Sequence, residues 1–164
     1  MGIEIERKFL LIDDGWRAAV GRSQHLVQGY LARTHDAPCS IRVRIGDNGA
    51  WLNIKSAVAG IERTEFEYAI PRADAEQMLA RFCHGVVEKV RHYVPYEELM
   101  FEIDEFLGDN AGLIVAELEL AAVDAAFARP PWLGADVSDR LRYYNLHLLD
   151  HPFACWSATE RAGE

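Results

Sequence analysis

Cysteine is scarce in this sequence, and its positions argue against two common ways of stabilising a domain. The 164 residues include three cysteines, Cys39, Cys83 and Cys155, which lie far apart in the chain. An odd number, the lack of a CxxC pair and the lack of histidine at zinc-finger spacing argue against a disulfide framework and a zinc site. Such cysteines are typical of thiols in a reducing compartment, so we expect a cytoplasmic protein.

Basic residues and long apolar runs are also in short supply. The chain has 17 Lys and Arg residues against 26 Asp and Glu residues, which gives a formal net charge of -9 at pH 7. Nucleic acids and anionic membranes attract basic surfaces, so this balance predicts that neither is a partner. No apolar run approaches the roughly 20 residues that cross a bilayer, and the charged N-terminus is unlike a signal peptide.

The length and composition indicate one globular unit. Half of the residues are apolar, which is enough for a packed core. No repeat, low-complexity tract or linker divides the chain, so we predict a single domain over residues 1–164. Residues 151–164 carry little pattern, and we expect a loosely packed tail there.

Alternation with a period of two residues dominates the chain. It predicts strands over residues 3–10, 24–32, 40–45, 51–56, 63–70, 87–94, 99–106 and 113–120. Seven of these segments place charged side chains at every second position, with apolar side chains between them. The acids of these faces are Glu4, Glu6, Glu65, Glu67, Glu102, Asp104, Glu117 and Glu119, and the bases are Lys8, Arg42, Arg44, Lys55, Arg63, Lys89 and Arg91.

Helical spacing is confined to a few segments. Ala75, Met78, Leu79 and Phe82 form one amphipathic helix, and Gly85 follows at the position of a C-terminal cap. Shorter helices are predicted at residues 16–20 and 123–128, a turn at residues 132–134, and a further helix from Ser138 through Leu149. The few helices leave most of the chain to the sheet.

The direction of the charged faces has two solutions. If they point outward, the apolar faces need one shared core, as in a sandwich. If the sheet closes into a barrel with the charges inside, the apolar surface points outward and the helices cover it. Periodicity alone leaves both arrangements open.

The residue types suggest a ligand for an inward charged face. Arginine presents a planar fork that matches phosphate oxygens, and Glu-x-Glu pairs supply hard oxygen ligands for Mg²⁺ or Mn²⁺. A polyphosphate needs cations along its length, and its divalent ions need carboxylates. The alternative is a set of cross-strand salt bridges that contribute a few tenths of a kcal/mol each.

The order of short motifs resembles a known family. The first strand, Glu4-Ile5-Glu6-Arg7-Lys8-Phe9-Leu10, resembles the ExExK signature of the CYTH superfamily, the triphosphate tunnel metalloenzymes. Similar segments follow in order along most of the chain: Gln28–Leu31, Arg42–Arg44, Ile54–Ser56, Arg63–Tyr68, Lys89–Arg91, Ile103–Phe106, Glu117–Leu120 and Tyr143–Asn145. The resemblance implies an α+β fold: a closed eight-stranded antiparallel β-barrel, or tunnel, with a charged interior, helices packed outside, and a homodimer as the assembly.

The same resemblance implies roles for individual residues. Divalent metal, Mg²⁺ or Mn²⁺, is expected at Glu4, Glu6, Asp104, Glu117 and Glu119, so Glu4 and Glu6 should meet Glu117 and Glu119 across the barrel. The phosphate-binding set is expected to be Lys8, Arg42, Arg44, Lys55, Lys89 and Arg91, with Arg63, Glu65, Glu67 and Glu102 as further tunnel residues. Lys8 and Tyr30 resemble the catalytic dyad of the short bacterial members. Crowding by other cations would disfavour the charged lysine and let it act as a base toward water.

The expected reaction is metal-dependent hydrolysis of a small anionic substrate. The short length and the forms IERKFL, QGYL and RYYN resemble the branch that splits inorganic tripolyphosphate into diphosphate and phosphate. Thiamine triphosphatase, nucleoside triphosphatase, a class IV type adenylate cyclase and a non-catalytic polyphosphate-binding module are the alternatives.

Overall fold

Nine β-strands form the frame of the described part of the protein. The computed structural model describes residues 2–32, 37–56 and 61–163. The strands are β1 Gly2–Leu11, β2 Arg22–Ala32, β3 Cys39–Gly46, β4 Gly49–Ser56, β5 Glu62–Ile70, β6 Val87–Tyr96, β7 Leu99–Phe106, β8 Ile114–Glu119 and β9 Leu133–Asp136. The α-helices are α1 Arg72–Phe82, α2 Asn145–Asp150 and α3 Ala158–Arg161, and four short 3₁₀ turns complete the regular structure of these ranges.

Eight of the strands close into an antiparallel barrel. The order around the sheet is β5-β4-β3-β2-β6-β7-β8-β1, and pairing of β5 with β1 closes the ring. Strand β9 adds to the outer part of β1, where Phe9 pairs with Asp136 and Leu11 with Leu133. Closure gives each of the eight barrel strands a hydrogen-bonded neighbour on both sides. The predicted closed eight-stranded antiparallel barrel is therefore confirmed.

The apolar face of the barrel points outward and is covered over most strands, although β5 has no buried residue. Helix α1 packs its Ala75, Met78 and Leu79 against β3 and β4, where Val43 and Ala50 are buried. The helix end comes so close to β2 that a Cβ on Gly29 would lie 2.9 Å from Leu79 Cδ2 and from Cys83. Only glycine fits this approach. A second cluster, built around Trp16, Phe101 and Trp132, covers β1, β7 and β8.

The C-terminal segment closes one end of the barrel. Val87, Phe106 and Val115 continue the inward faces of β6, β7 and β8 at this end, and they pack against Tyr143, Leu148 and Trp156. Residues 151–163, the described part of the predicted tail over residues 151–164, include one buried aromatic side chain. Trp156 is 5% exposed, and its ring contacts Tyr143 and Phe153. Aromatic burial fixes this segment despite its weak pattern.

Three predictions between residues 120 and 150 were wrong. Residues 123–128 form no helix: residues 123–124 lie in a turn and 125–128 have no regular secondary structure, with Ala125 and Phe127 packed against the outer core before Pro130 and Pro131. The predicted turn at residues 132–134 overlaps strand β9. The helix predicted from Ser138 to Leu149 is divided into a 3₁₀ turn, Leu141–Tyr143, and α2, since Tyr144 has extended backbone (φ -82°, ψ 137°). Among the described residues, no helix is long and apolar enough to span a membrane.

Candidate active site

A cavity of about 1280 Å³ lies inside the barrel, and charged side chains line it. Fourteen of the sixteen predicted site residues are at its wall: Glu4, Glu6, Lys8, Tyr30, Arg42, Arg44, Lys55, Arg63, Glu65, Glu67, Arg91, Glu102, Glu117 and Glu119. The other two, Lys89 and Asp104, lie behind the wall. The charged faces therefore point inward, which decides between the two arrangements that periodicity left open.

The strand register divides the predicted metal-binding acids into two places. Glu6 lies opposite Glu119 on β1 and β8, and Glu117 lies opposite Glu102 on β8 and β7. Glu4 does not join them. It lies opposite Arg63 of β5, and both of its carboxylate oxygens accept hydrogen bonds from Lys55 Nζ, at 2.6 and 2.8 Å. The structure thus brings Glu6, Glu102, Glu117 and Glu119 to one wall and Glu4 to the next.

Lys8 has a different environment from the one expected. Its ammonium donates to Glu6 at 2.7 Å and to Glu117, and its side chain is 3% exposed. Burial by itself would lower the pKa of Lys8, but the carboxylates of Glu117 and Glu6 outweigh burial and raise the pKa above its ordinary value. Lys8 is therefore held as an ammonium between acids. We expected cations around Lys8, which would have favoured its neutral form and a role as a base. The structure instead places carboxylates around it.

Arg91 joins the acids of the same wall. Its guanidinium donates to Asp104 through Nε and Nη2, at 2.7 Å each, and also to Glu102 and Glu117. Burial would raise the pKa of Glu117, but Lys8, Arg91 and Lys89 hold it well below its usual range. Burial is also the main cause of the raised pKa of Glu102. Glu117 is thus kept ionised.

Lys89 and Asp104 form a buried pair beneath the cavity wall. They are 1% and 0% exposed, and Lys89 Nζ donates to Asp104. Burial lowers the pKa of Lys89 to about 8, although the neighbouring Asp104 opposes this shift. Neither side chain is part of the cavity wall. The expected contact of Lys89 with phosphate and that of Asp104 with metal stay predictions.

The opposite wall is organised by an amide that the sequence analysis did not assign. Asn53 Nδ2 donates to Glu65 at 2.9 Å and to Glu67 at 2.6 Å, and Glu67 also accepts from Arg44 at 3.0 Å. Asn53 is fully buried. The sequence signal for Asn53 was its position two residues before Lys55 on β4, because residues two apart in a strand lie on the same face. Asn53 holds two carboxylates together that would otherwise repel each other.

Tyr30 is buried beside Arg42 rather than hydrogen-bonded to Lys8. The two residues are cross-strand partners on β2 and β3. Burial raises the pKa of Tyr30, and the neighbouring Arg42, Lys8 and Arg63 oppose this only in part. The hydroxyl is therefore protonated at neutral pH. Within the described residues, the buried Nε atoms of Arg42, Arg44 and Arg63 have no hydrogen-bond partner, which leaves donor capacity unused.

The carboxylates fit a divalent cation in kind and in register. No three Asp, Glu, His or Cys side chains in the described ranges already converge to hold a metal ion. Lys8 and Arg91 instead bind both oxygens of Glu117 and one oxygen each of Glu6 and Glu102. Glu119 is exposed to the cavity and makes no ion pair within residues 2–32, 37–56 and 61–163. Hard carboxylate oxygens of this number are the ligands that Mg²⁺ and Mn²⁺ prefer.

Fold and site together define a closed antiparallel barrel with a tunnel of paired acids and bases. Comparison with known proteins assigns its family. The CYTH domain matches residues 2–150. The chain belongs to the CYTH family.

Relatives with established names resemble nearly the whole chain. The inorganic triphosphatase of Acetivibrio thermocellus is 38% identical over 154 residues, which cover 93% of this chain and 97% of the relative. The inorganic triphosphatase of Nitrosomonas europaea is 37% identical over 150 residues, which cover 87% of this chain and 93% of the relative. A crystal structure of an inorganic triphosphatase aligns with a TM-score of 0.63 at 32% identity, over 96% of this chain and 97% of that one.

Proposed function

We propose that this protein hydrolyses inorganic tripolyphosphate to diphosphate and phosphate with the help of Mg²⁺ or Mn²⁺. The observation that carries the proposal is the cavity, in which cations from several strands surround a space large enough for a triphosphate. The lining bases are Lys8, Arg42, Arg44, Lys55, Arg63 and Arg91. The two inorganic triphosphatases that resemble the chain over most of its length support the same activity.

Arginine and lysine in this arrangement bind phosphate oxygens along the substrate. Arg42 and Arg44 lie two positions apart on β3, so both point into the cavity. Each has an Nε–H without a partner among the described residues. Guanidinium groups match phosphate oxygens with paired hydrogen bonds. Lys8, held as an ammonium, adds charge where negative charge develops on the leaving phosphate. This assigns Lys8 an electrostatic role rather than that of a base.

A divalent cation would be held by Glu6, Glu117 and Glu119, with Glu102 beside them. When bound, it neutralises phosphate charge and lowers the pKa of a coordinated water. The chain's own residues bind and orient the phosphates and exclude bulk water from the buried wall. Glu65 and Glu67, which both accept hydrogen bonds from Asn53, would orient a water molecule on the opposite side. Glu4 serves Lys55 and not the metal in this proposal, since Lys55 occupies both of its oxygens.

Substrate assays separate this proposal from its alternatives. Purified protein with Mg²⁺ or Mn²⁺ is offered tripolyphosphate, thiamine triphosphate and ATP, and the products are identified. Fastest release of phosphate from tripolyphosphate is the expected result. Cyclic AMP from ATP would identify a cyclase, preferential hydrolysis of thiamine triphosphate or ATP would change the substrate, and tight binding without turnover would identify a binding module.

A homodimer in the cytoplasm is the proposed setting. Ile3 and Tyr68, 68% and 53% exposed, lie on the outward face of neighbouring strands β1 and β5. Exposed apolar side chains on one sheet face support an interface with a second copy. The three free thiols support a reducing compartment. Light scattering on the purified protein tests the dimer, and a monomeric mass would contradict it.

A further inference from the structure

We propose that Tyr144 is a positioning residue whose aromatic face holds Lys8 and Arg63 in place for phosphate binding. This inference rests on the proposed function of the cavity, which Tyr144 lines together with both cations. The Lys8 ammonium lies 5.3 Å from the centre of the Tyr144 ring, and the Arg63 guanidinium carbon lies 4.9 Å from it. Both distances are within the range of a cation–π interaction. One ring thus contacts cations from two different strands.

The ring is fixed from outside the cavity. The Tyr144 hydroxyl donates to the backbone carbonyl of Ser138 at 2.7 Å. The extended backbone of Tyr144 separates the 3₁₀ turn before it from α2 and directs the side chain to the barrel end. Because the hydroxyl is anchored outside, the ring has one orientation toward the cations.

The same segment also fixes the backbone of Lys8. The Lys8 N–H donates to Ser138 Oγ at 2.9 Å, and the Val137 N–H donates to the Lys8 carbonyl at 2.8 Å. Ser138 is therefore attached to Lys8 through its side chain and to Tyr144 through its carbonyl. The lysine backbone and the ring that contacts its ammonium are held by one short piece of chain, so their relative position is well determined.

A neutral partner has a specific use at this place. Lys8 and Arg63 share one carboxylate, because Glu6 accepts from Lys8 and its oxygen lies 3.9 Å from an Arg63 nitrogen. In the proposed function Glu6 and Glu117 bind the divalent cation, which weakens their hold on Lys8. The Tyr144 ring competes neither for the metal nor for phosphate oxygens. It therefore keeps both cations directed into the cavity when their acidic partners are engaged elsewhere.

Three variants separate the aromatic face from simple filling of space. Tyr144→Phe keeps the ring, Tyr144→Leu keeps an apolar side chain without the ring, and Tyr143→Leu changes the adjacent tyrosine, which packs on Trp156. With Mg²⁺ and tripolyphosphate, we expect Tyr144→Leu to lower kcat/KM about tenfold, mainly through a higher KM. Tyr144→Phe should remain within about threefold of the parent protein. Tyr143→Leu should lower the melting temperature without raising KM.

Equal kcat/KM values for Tyr144→Leu and Tyr144→Phe would overturn the proposal, since the ring would then act only as a filler. Thermal melting of each variant shows whether a loss of activity is a loss of fold. If the parent protein releases no phosphate, the proposed function fails independently. The same variants are then compared by the Kd of tripolyphosphate in the presence of Mg²⁺, measured by calorimetry. A Kd for Tyr144→Leu about tenfold above that of Tyr144→Phe supports the positioning role, and equal values reject it.

Discussion

Lys8 and Glu117 stand opposite each other on β1 and β8, and the Lys8 ammonium donates to the Glu117 carboxylate inside the barrel. The two residues are more than a hundred positions apart in the chain. Arg91 binds the same carboxylate from a third strand. Glu117 therefore connects cations of two strands, β1 and β6, and we expect this centre to affect both stability and the proposed phosphate binding.

Replacement of Lys8 should affect activity more than stability. Lys8→Ala removes a cation from the proposed phosphate site, so we expect phosphate release to fall roughly 100-fold or more. The unfolding free energy should fall by about 1–3 kcal/mol, because Glu117 keeps Arg91 as a partner. Steady-state assays and urea denaturation measure the two effects. Lys8→Arg preserves the charge and serves as the control, and a near-normal rate for Lys8→Ala would contradict the assigned role.

The strands were readable from the sequence because inward and outward residues alternate strictly. Their closure was not readable from spacing, since Glu6 meets Glu119 only after eight strands have been joined in register. The depth of a residue was also hidden. Lys89 and Arg91 lie two positions apart on the inward face of β6, yet Arg91 reaches the cavity and Lys89 is covered. Depth depends on how the C-terminal segment fills one barrel end, which no local pattern encodes.

The strongest local signals near the C-terminus were misleading for a physical reason. An alanine-rich stretch favours a helix by propensity, but Phe127 packs on Phe9, with 5.7 Å between the ring centres, in a stretch that forms no helix. Strand β9 has only four residues and depends on its partner β1. Tertiary contacts decide both segments, so sequence spacing alone predicts them poorly.

The buried pair of Lys89 and Asp104 should be visible in the pH dependence of stability. The pKa of Lys89 is about 8 in the folded protein and 10.5 in its ordinary state. Between these values the unfolded chain binds more protons than the folded one, so stability rises with pH across this window. Lys89→Met should remove up to ~3 kcal/mol of this rise. Urea denaturation of both proteins from pH 7.5 to 10.5 gives the comparison, and parallel curves would contradict the pKa shift.

Gln28 should be replaceable with a gain in stability. Its side chain is fully buried on the inward face, and neither amide atom has a hydrogen-bond partner among the described residues. Burial of an unpaired amide costs about 1–3 kcal/mol. Gln28→Leu keeps a similar volume, so we expect the unfolding free energy to rise by about 1 kcal/mol. A lower unfolding free energy for Gln28→Leu, measured by urea denaturation, would indicate instead that Gln28 binds a buried water.

Trp156 tests the packing of the C-terminal segment. Its side chain is buried against Tyr143 and Phe153, and its indole N–H donates to the His151 carbonyl at 3.0 Å. Trp156→Ala should lower the unfolding free energy by about 3 kcal/mol. The neighbouring Cys155 is exposed, so Cys155→Ala is a matched control with an expected change below about 0.5 kcal/mol. Equal unfolding free energies for the two variants would indicate that residues 151–163 form a loose tail.

Glu117 and Glu119 lie two positions apart on β8, both on the inward face, and should separate stability from metal binding. Glu117 accepts from Lys8 and Arg91, whereas Glu119 makes no ion pair in the described part of the chain. Glu117→Gln should therefore lower the unfolding free energy by about 2–4 kcal/mol, because two buried cations lose their anionic partner. Glu119→Gln should change it by less than about 0.5 kcal/mol.

Both substitutions remove a proposed ligand, so each should raise the Mg²⁺ concentration for half-maximal phosphate release by about tenfold or more. Mg²⁺ titrations of activity and urea denaturation, run on the same preparations, measure the two quantities separately. An unchanged Mg²⁺ requirement in Glu119→Gln would remove Glu119 from the ligand set. Equal unfolding free energies for the two variants would show that the contacts of Glu117 with Lys8 and Arg91 do not stabilise the fold. The expected divergence arises because one strand supplies a carboxylate already engaged by cations and another that remains available to a metal.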